Sequence, residues 1–420
     1  MNPVALVTRK HGSETVMMPG ETESVILCEP QCWGFEHASF NAALLQTVLY
    51  AFPGARVVFI AEKGHLACVR EKLTEATGGI DQTAVWVETI IPERSLGGWK
   101  RLKDEVRWFR HVLGITASEG AHALILCSVT VTGLFALKGL LLTRMAPEAP
   151  VMVVLHGILS TVETPSAGRL RHRILHLRQA LRLPHPERLA YLALGASIYT
   201  CLAGAMPQAA RYFKVLEPPY LMASAENPIE TKRTIRFGYF GVGRNAEKGF
   251  DQFVRLAKEC RQSFSRMNCE FVIVGFLQTA RGVRVDADVV NGLSCAPLAG
   301  DEYARRAQEV TYALGLADPE HYRLVASASF LDALCYMKPG IYLRNPYVEH
   351  YFNQLGDIGY LCGSYREMLG VVRSIIDDFP EARYRQQCEN IRTGRRIFEP
   401  QAVAPQLRDI VKESQKALLR

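Results

Sequence analysis

A strand-like run of apolar residues just past the middle of the chain ends in glycines, an arginine and a lysine. Gly241 and Gly243 follow the run 235–240, and Arg244 and Lys248 precede a helical pattern. Glycine lets backbone N–H groups approach an anion closely, a helix N-terminus adds a favourable dipole, and the two side chains add positive charge. This spacing predicts a site for a phosphate group.

Hydroxyl groups and a carboxylate mark a second polar segment in the same half of the chain. Ser327 and Ser329 precede a helical pattern, and we expect Asp332 in its first turn. The serines can cap the helix or donate to a phosphate. The aspartate can accept hydrogen bonds from ribose hydroxyls or simply favour the helix dipole. Both alternatives stand for each residue.

In the first half, a carboxylate and two histidines follow predicted strands. Glu36 and His37 come after the strand 24–28, and His156 comes directly after the apolar strand 151–155. Imidazole titrates near neutrality and therefore suits acid–base chemistry. We predict catalytic roles for His156, Glu36 and His37. The alternative for Glu36 and His37 is a helix-entry loop whose polar groups only cap the backbone.

The elements that position these residues alternate between strand and helix. Strands are predicted at 24–28, 56–60, 84–87, 123–127, 151–155, 235–240, 271–274, 311–314, 340–343 and 358–361, with helices at 40–51, 66–76, 99–113, 132–143, 248–260, 301–310 and 329–337. The alternation predicts an α/β fold of two tandem Rossmann-like, doubly wound parallel-sheet domains. Ligands bind beyond the carboxyl ends of such strands, so two facing domains share a cleft.

Length and composition set the domain organisation. A chain of 420 residues exceeds what one core usually holds. The alternation stops near 216–220, and a polar, proline-containing run follows to 234. We therefore predict one Rossmann-like domain over 1–217 and a second over 218–399. We expect the final helix, 400–420, to pack back on the first domain.

Cysteine usage and hydropathy predict a cytoplasmic protein. The eleven cysteines include no C-x-x-C pair, which favours reduced thiols over a disulfide framework or a zinc site. The N-terminus has no apolar stretch after a basic start, so we expect no secretion. The segment 123–142 has the length of a membrane span, but it contains Lys138 and several polar residues. We interpret it as a buried strand followed by an apolar helix.

Positive charge is concentrated in one segment of a chain whose net charge is +7. Between 169 and 188 a stripe of apolar residues at helical spacing accompanies six arginines: Arg169, Arg171, Arg173, Arg178, Arg182 and Arg188. One interpretation is a solvated face on a core-packed helix. The other is a helix that contacts an anionic membrane surface, on the inner face of the cytoplasmic membrane, or a lipid-diphosphate acceptor. Without interleaved aromatic residues the segment does not favour nucleic acid.

Three segments of the second half, 241–249, 271–275 and 331–340, resemble the nucleotide-binding half of divergent GT-B-fold glycosyltransferases of family 4 (glycosyl transferases group 1). The resemblance covers roughly 234–368, while the first half is similar only in architecture and in its His-Gly loop. It implies that Arg244 and Lys248 hold the donor diphosphate, that Asp332 binds ribose and that His156 lies near the reacting sugar. We add Gly241, Gly243, Ser327 and Ser329 to the diphosphate site.

The sequence departs from that family at two acidic positions. The family usually has a glutamate that touches the donor sugar eight positions before the ribose acid, and this chain has Leu324 there. Aspartate replaces the usual second glutamate, as Asp332. These departures leave the donor sugar and the stereochemical outcome open.

The resemblance implies a hexosyltransferase-like glycosyltransferase. Its donor would be a UDP- or GDP-linked sugar, taken as substrate and not as cofactor, and its acceptor a glycan or lipid-linked molecule in surface polysaccharide or glycolipid synthesis. Arg244, Lys248 and helix N-termini would stabilise the leaving diphosphate without a metal. Asp286 and Asp288 spell the D-x-D metal motif of the other glycosyltransferase fold, but they fall inside the second sheet domain. We therefore expect no metal site.

Two alternatives to a transferase remain. The spacing Gly241-x-Gly243-x-x-Ala246 satisfies the dinucleotide fingerprint and suggests an NAD(P)-dependent oxidoreductase. That fingerprint expects a ribose-binding acid after the second strand, and 275–278 contains none. The second alternative is a catalytically degenerate GT-B protein that binds nucleotide or glycan as a scaffold, and Leu324 is the reason to consider it.

Overall fold

The computed structural model describes residues 23–77, 84–94, 98–143, 147–163, 175–223, 234–243, 248–263, 269–278 and 289–419. The strands in these ranges are β1 Ser24–Cys28, β2 Arg56–Ala61, β3 Val85–Glu88, β4 Ala123–Leu126, β5 Val151–Val154, β6 Leu189–Leu194, β7 Phe213–Leu216, β8 Ile235–Gly243, β9 Cys269–Leu277, β10 Tyr312–Gly315, β11 Gly340–Leu343 and β12 Gly359–Cys362.

The helices in the same ranges are α1 Ala38–Ala51, α2 Lys63–Thr77, α3 Gly98–Ser118, α4 Val131–Leu141, α5 Leu177–Arg182, α6 Ala196–Ala205, α7 Pro207–Ala210, α8 Phe250–Ser263, α9 Gly300–Glu309, α10 Ala328–Cys335, α11 Pro346–Leu355, α12 Tyr365–Asp377, α13 Glu381–Gly394 and α14 Pro400–Leu418. Short 3₁₀ turns lie at Ile158–Val162, His321–Leu324 and Arg395–Phe398.

Two sheets, each with all strands parallel, organise the described chain. The first has the order β3-β2-β1-β4-β5-β6-β7, and the second has the order β12-β11-β10-β8-β9. Strand order reverses between β1 and β4 in the first sheet and between β8 and β10 in the second. A crevice forms beyond the carboxyl ends of the strands at such a reversal. The prediction of two doubly wound parallel sheets is confirmed.

The predicted strands lie at the right positions in the sequence, but many differ in length from the observed ones. All ten predicted strands are present within a few residues of their predicted bounds. The strands β6 and β7 were not predicted, although every residue of β6 is buried. The segment 123–142 forms β4 and α4, as predicted, and Lys138 is buried with its Nζ donating to the carbonyls of Ala180 (2.8 Å) and Leu183 (2.9 Å). Across the described ranges, every helix is too short or too polar to cross a membrane.

The chain crosses between the two sheets twice. It leaves the first sheet after β7 through 217–223 and returns through the turn Arg395–Phe398 into α14. The apolar residues Val403, Leu407 and Val411 of α14 are buried in the core that α1 forms with the first sheet. The last helix therefore packs on the first domain, and both crossings lie beside α10.

Candidate functional site

The cleft edge of the first sheet is built where β1, β4 and β5 end. These strands are neighbours at the reversal of strand order, so residues that follow them lie together although they are distant in sequence. Glu29 follows β1, Ser128 follows the end of β4, and His156 follows β5. His37 occupies the N-cap position of α1.

The structure brings His37 and His156 into direct contact. Their rings stack with centroids 4.6 Å apart and planes 1° apart. The ring of Phe40 also contacts His156, in a T-shaped arrangement with the ring centroids 4.9 Å apart. Two of the three predicted catalytic residues therefore form one unit.

The backbone of His37 is strained in a way that favours this contact. Its φ of 53° lies in the left-handed region, and its side chain makes no cap hydrogen bond to α1. A residue with a Cβ in that region costs about 1–2 kcal/mol, and a capping side chain at this position contributes about 1 kcal/mol. His37 therefore adopts an unfavourable backbone conformation and lacks the stabilising cap hydrogen bond, while its imidazole contacts His156. It does not act as a backbone cap.

Burial keeps both imidazoles neutral near pH 7. It lowers the pKa of His156 to about 3, and the neighbouring His37 adds to that shift. Burial also lowers the pKa of His37, while the negative charges of Glu29 and Glu36 oppose the change. Both imidazoles are therefore in the form that can accept a proton. His37 is the better base of the two, because a pKa of about 3 makes His156 a weak base whereas Glu29 and Glu36 favour the protonated form of His37.

Glu36 is held by an arginine and does not join the histidine pair. Arg94 donates from Nη1 to Oε1 of Glu36 (2.7 Å) and makes a second contact from Nη2 to Oε2. Burial acts to raise the pKa of Glu36, but hydrogen bonds from Arg94 and from the Trp33 backbone outweigh it and the pKa is lowered. The carboxylate thus ties the loop after β1 to the loop after β3.

A buried polar network at the carboxyl end of β1 was not predicted from the sequence. Glu29, Asn41, His65 and Ser128 are almost completely inaccessible and hydrogen-bonded to one another. Glu29 comes directly after an apolar strand, which is the placement that drew attention to His156. That placement was the available signal, whereas the partners of Glu29 lie on other elements.

In the second domain, Gly241 and Gly243 of the predicted phosphate site belong to strand β8. The predicted strand end at 240 was wrong, because β8 continues to Gly243 in register with β9. A Cβ on Gly275 would lie 2.0 Å from the carbonyl oxygen of Gly241, so the two backbones approach at van der Waals contact. The predicted helix start at 248 was also wrong, since α8 begins at Phe250. The predicted glycine turn 241–249 therefore loses 241–243 to β8, and of its remaining residues the structure describes Lys248 and Gly249.

Lys248 lies two residues before α8, and its charge acts on one site residue of each domain. The hydroxyl of Tyr239 donates to its backbone carbonyl (3.2 Å). Burial lowers the pKa of His37 in the first domain and raises the pKa of Asp332 in the second. The positive charge of Lys248 is a smaller effect and acts to lower both pKa values. The ammonium group is therefore within electrostatic reach of both. Arg244, predicted to share its role, lies outside the described residues.

The serines and the aspartate of α10 are engaged within the protein. Ser327 is the N-cap and accepts from the backbone N–H of Phe330 (3.3 Å), and its Oγ lies 3.1 Å from that of Ser329. Asp332 is in the second turn of α10, so the predicted first-turn position was wrong. The Tyr220 hydroxyl donates to its carboxylate. Burial raises the pKa of Asp332, while Tyr220, Tyr303 and Lys248 act in the opposite direction.

Leu324 and the basic segment have structural explanations. Leu324 ends a 3₁₀ turn and is 1 % exposed in the main core, so a carboxylate there would be buried in apolar surroundings. The basic segment is described from 175 onward, where Leu177 and Leu181 of α5 are buried in the same core. The apolar stripe of α5 therefore faces the protein. Arg169, Arg171, Arg173, Asp286 and Asp288 lie outside the described residues.

In the part of the chain that is described, no three His, Cys, Asp or Glu side chains gather as a metal site would require. A pocket of about 380 Å³ lies away from the cleft, at the amino ends of β6 and β7, with Arg182, His185, Met206, Arg211 and Tyr212 among its lining. Because the histidine pair and Lys248 lie at the opposite, carboxyl ends of the strands, the cleft is the better candidate for chemistry.

Solved structures share this architecture across nearly the whole chain. HepE from Anabaena in complex with UDP-glucose has a TM-score of 0.62 at 13% identity, over 93% of this chain and 99% of that one. A glycosyltransferase from Rickettsia africae has a TM-score of 0.61 at 8% identity, over 94% and 99%. The N-terminal domain of the Candida albicans trehalose-6-phosphate phosphatase has a TM-score of 0.59 at 9% identity, over 96% and 98%.

These likenesses establish the fold, which is GT-B, as the sequence predicted. No protein-family model and no curated protein matches the sequence. Structures of HepE also exist with UDP and glucose and with UDP alone.

Proposed function

We propose that the protein is a glycosyltransferase that moves a sugar from a nucleotide-sugar donor to an acceptor hydroxyl. The observation that carries the proposal is the stacked pair His37 and His156 at the carboxyl edge of the first sheet, with Lys248 of the second domain near enough for its charge to act on His37. A transferase of this kind needs a base near the acceptor and a cation near the leaving diphosphate. The GT-B fold and the UDP-glucose complex of HepE support the same proposal.

In this proposal each edge of the cleft has its own task. The donor diphosphate lies against the segment 244–249, where Lys248 and Arg244 stabilise the charge that develops as the sugar leaves. Gly241, Gly243, Ser327 and Ser329 line its approach, and Asp332 receives the ribose. The acceptor hydroxyl passes its proton to the neutral imidazole of His37, which His156 stacks against, and its oxygen bonds to the sugar as the bond between the sugar and the diphosphate breaks. The protein residues supply the charge stabilisation, so we propose that no metal takes part.

The acceptor belongs to the same proposal. We infer a glycan or lipid-linked acceptor in surface polysaccharide or glycolipid synthesis, met at the inner face of the cytoplasmic membrane. Arginines of the segment 169–188 would make the contact with anionic lipid through charge alone, because the apolar residues of α5 pack inward. Such a contact weakens as salt concentration rises.

Thermal unfolding with nucleotide sugars tests the donor assignment. A ligand at about 100 times its Kd stabilises the native state by about 2.7 kcal/mol, so UDP- or GDP-linked sugars at millimolar concentration should raise the Tm. Lys248→Ala should abolish most of that rise. Lys258→Ala is the matched control, since Lys258 is an exposed lysine on the adjoining helix α8. A rise that is equal in both variants, or absent in the native protein, would contradict the proposal.

A second candidate is a GT-B protein that binds nucleotide without transferring sugar. Buried Leu324 favours it, because it stands where related transferases have a donor-contacting glutamate. A GT-B domain named as part of a phosphatase shows that this fold occurs outside proteins named as transferases. Binding of a nucleotide sugar with no release of UDP or GDP, with and without acceptor glycans, would favour this candidate over a transferase.

A further inference from the structure

Glu29 is a fully buried carboxylate at the carboxyl end of β1. It is 0% exposed and has hydrogen-bond donors on both oxygens. The donors are the backbone N–H groups of Gln31 (2.9 Å) and Cys32 (3.1 Å), the hydroxyl of Ser128 and Nδ2 of Asn41 (3.0 Å). A site in which four groups donate to one carboxyl group suits its ionised, acceptor-only form.

The hydrogen-bond chain continues from Glu29 to the loop that carries His37. Nδ2 of Asn41 also contacts Nε2 of His65 (2.8 Å), and Nδ1 of His65 contacts the carbonyl of Gly34 (2.8 Å). Because Nδ2 of Asn41 can only donate, Nε2 of His65 accepts, and the His65 proton lies on Nδ1 and is donated to the carbonyl of Gly34. One buried charge thereby fixes β1, α1, α2 and the segment after β4 relative to one another.

The loop held in this way contains two residues in the left-handed region. Gly34 has a φ of 51° and His37 a φ of 53°. A residue such as His37 keeps this conformation only where its surroundings enforce it. The contacts of Glu29 with Gln31 and Cys32, and of His65 with Gly34, fix the loop on the strand side of His37.

We propose that Glu29 is the positioning residue of the histidine pair. Its hydrogen bonds hold the His37 ring against His156, and its negative charge stabilises His37 when the imidazole takes up a proton. The kinetic part of this inference rests on the proposed transferase function. The part that concerns the charge on His37 does not.

Several charges from different elements act on His37. Glu29 and Glu36 favour its protonated form, whereas the charge of Lys248 from the other domain disfavours it. His65 from α2 and the adjacent His156 also face His37, and they oppose its protonation only where they are themselves protonated. Of the two carboxylates, Glu29 is inaccessible to solvent and Glu36 is paired with Arg94. Removal of the Glu29 charge should therefore change the titration of His37 more than removal of the Glu36 charge.

Histidine titration by NMR tests the charge directly in the full chain. His37→Asn assigns the His37 ring resonances. In Glu29→Gln, the amide keeps the size of the side chain and three of its hydrogen bonds, and the midpoint of the His37 titration should move to lower pH. An unchanged or higher midpoint in a folded Glu29→Gln protein would overturn the proposal. Glu36→Gln should give the smaller shift.

Steady-state kinetics test the positioning. Glu29→Gln should lower kcat about tenfold or more, with a change in KM for the nucleotide sugar of less than about threefold, since a base contributes about 10²–10⁴-fold to the chemical step. The acid limb of its pH profile should move in the same direction as the NMR midpoint. If Glu29→Gln lowers activity only as far as its loss of stability reduces the amount of folded protein, and the pH profile does not move, then Glu29 is only a structural residue.

Two variants complete the design. Glu105→Gln is the control, because Glu105 is also a buried carboxylate of the first domain but binds Arg101 and Thr130 between α3 and α4. It should leave the His37 midpoint unchanged. Asn41→Ala keeps the charge and breaks the link to His65, so it should lower kcat about threefold or more with little change in midpoint. If Glu29→Gln does not fold, Asn41→Ala still tests the positioning role, and native kcat in that variant would overturn it.

The two proposals fail in different ways. If the native protein transfers no sugar from any nucleotide donor, the transferase proposal is wrong, while the NMR midpoints still decide the coupling of Glu29 to His37. If transfer occurs but the Glu29→Gln midpoint is native, only the role of Glu29 is wrong.

Discussion

The two sheets differ in the groups that they contribute to the shared cleft. The edge of the first sheet consists of side chains, with a buried network around Glu29 and the stacked rings of His37 and His156. The edge of the second sheet includes a close backbone approach of β8 and β9, because a Cβ on Gly275 would collide with the carbonyl oxygen of Gly241. Within the described ranges, only the first edge holds a side-chain-bearing residue at positive φ close to the candidate chemistry.

This difference indicates a division of labour. Side chains in a hydrogen-bonded network hold a fixed geometry, which proton transfer requires. Closely packed glycine backbone leaves N–H groups accessible to an anion and supplies no titratable group. Under the proposed function, the first edge acts on the acceptor and the second holds the donor. The following variants test each half of that contrast.

Gly275→Ala should have the largest effect, and it tests the backbone edge. Its Cβ would lie 2.0 Å from the Gly241 carbonyl oxygen, and φ at this position is 149°. Overpacking against backbone and dihedral strain together should lower the free energy of unfolding by about 4 kcal/mol, measured in urea. Gly370→Ala on the exposed face of α12 has open space around it and should add about 0.5–1 kcal/mol. Equal results for the two variants would mean that β8 and β9 are not in close contact.

His37→Asn should separate activity from stability at the side-chain edge. Asparagine tolerates positive φ and is a strong N-cap, so the free energy of unfolding should stay level or rise by up to about 1 kcal/mol. Transfer should fall about 100-fold, as expected for loss of a general base. Stability comes from urea unfolding and activity from release of the nucleotide. A loss of stability with full activity would show that His37 serves the fold.

Low pH should lower the contribution of the first edge to the free energy of unfolding and leave the contribution of the second edge intact. The pKa of His156 is about 3 in the folded protein against 6.5 for an unperturbed imidazole, so the unfolded chain binds more protons between these values. Its contribution to stability is complete above pH 6.5 and is lost as pH falls toward 3. His156→Phe should therefore gain stability relative to the native protein as pH falls through that window, measured as ΔG of unfolding against pH.

Asp332 should show the opposite sign. Burial raises its pKa above the ordinary value of 3.8, so the folded protein binds the proton more tightly than the unfolded chain. Its effect on stability is most favourable at low pH and is lost as pH rises through the raised pKa. Asp332→Asn should gain stability relative to the native protein as pH rises over that range. Parallel pH profiles for the two variants would contradict the contrast between the edges.

The sequence predicted architecture better than contacts. The alternation of strand and helix patterns was enough to predict two parallel sheets, because periodicity is a local property of the sequence. Strand β6, which follows the arginine-rich segment, was not predicted. The pairing of Glu29 with Ser128 joins positions 99 residues apart, and it exists because β1 and β4 are neighbours in the sheet. Likewise His37 and His156 were singled out separately, and their stacking depends on the order of strands and on a positive φ that no local pattern specifies for histidine.

Glu36→Gln should have the smallest effect, and it tests whether proton chemistry is confined to the histidine pair. Its partner Arg94 has a side chain 52% exposed and Glu36 one 33% exposed, so solvent screens the pair. Such pairs contribute about 0–1 kcal/mol, and urea unfolding at high salt should reduce the difference from the native protein further. The loss of transfer activity should be smaller than for His37→Asn. A loss as large as that of His37→Asn, without a change in stability, would place proton transfer on Glu36 and make Arg94 the group that controls it.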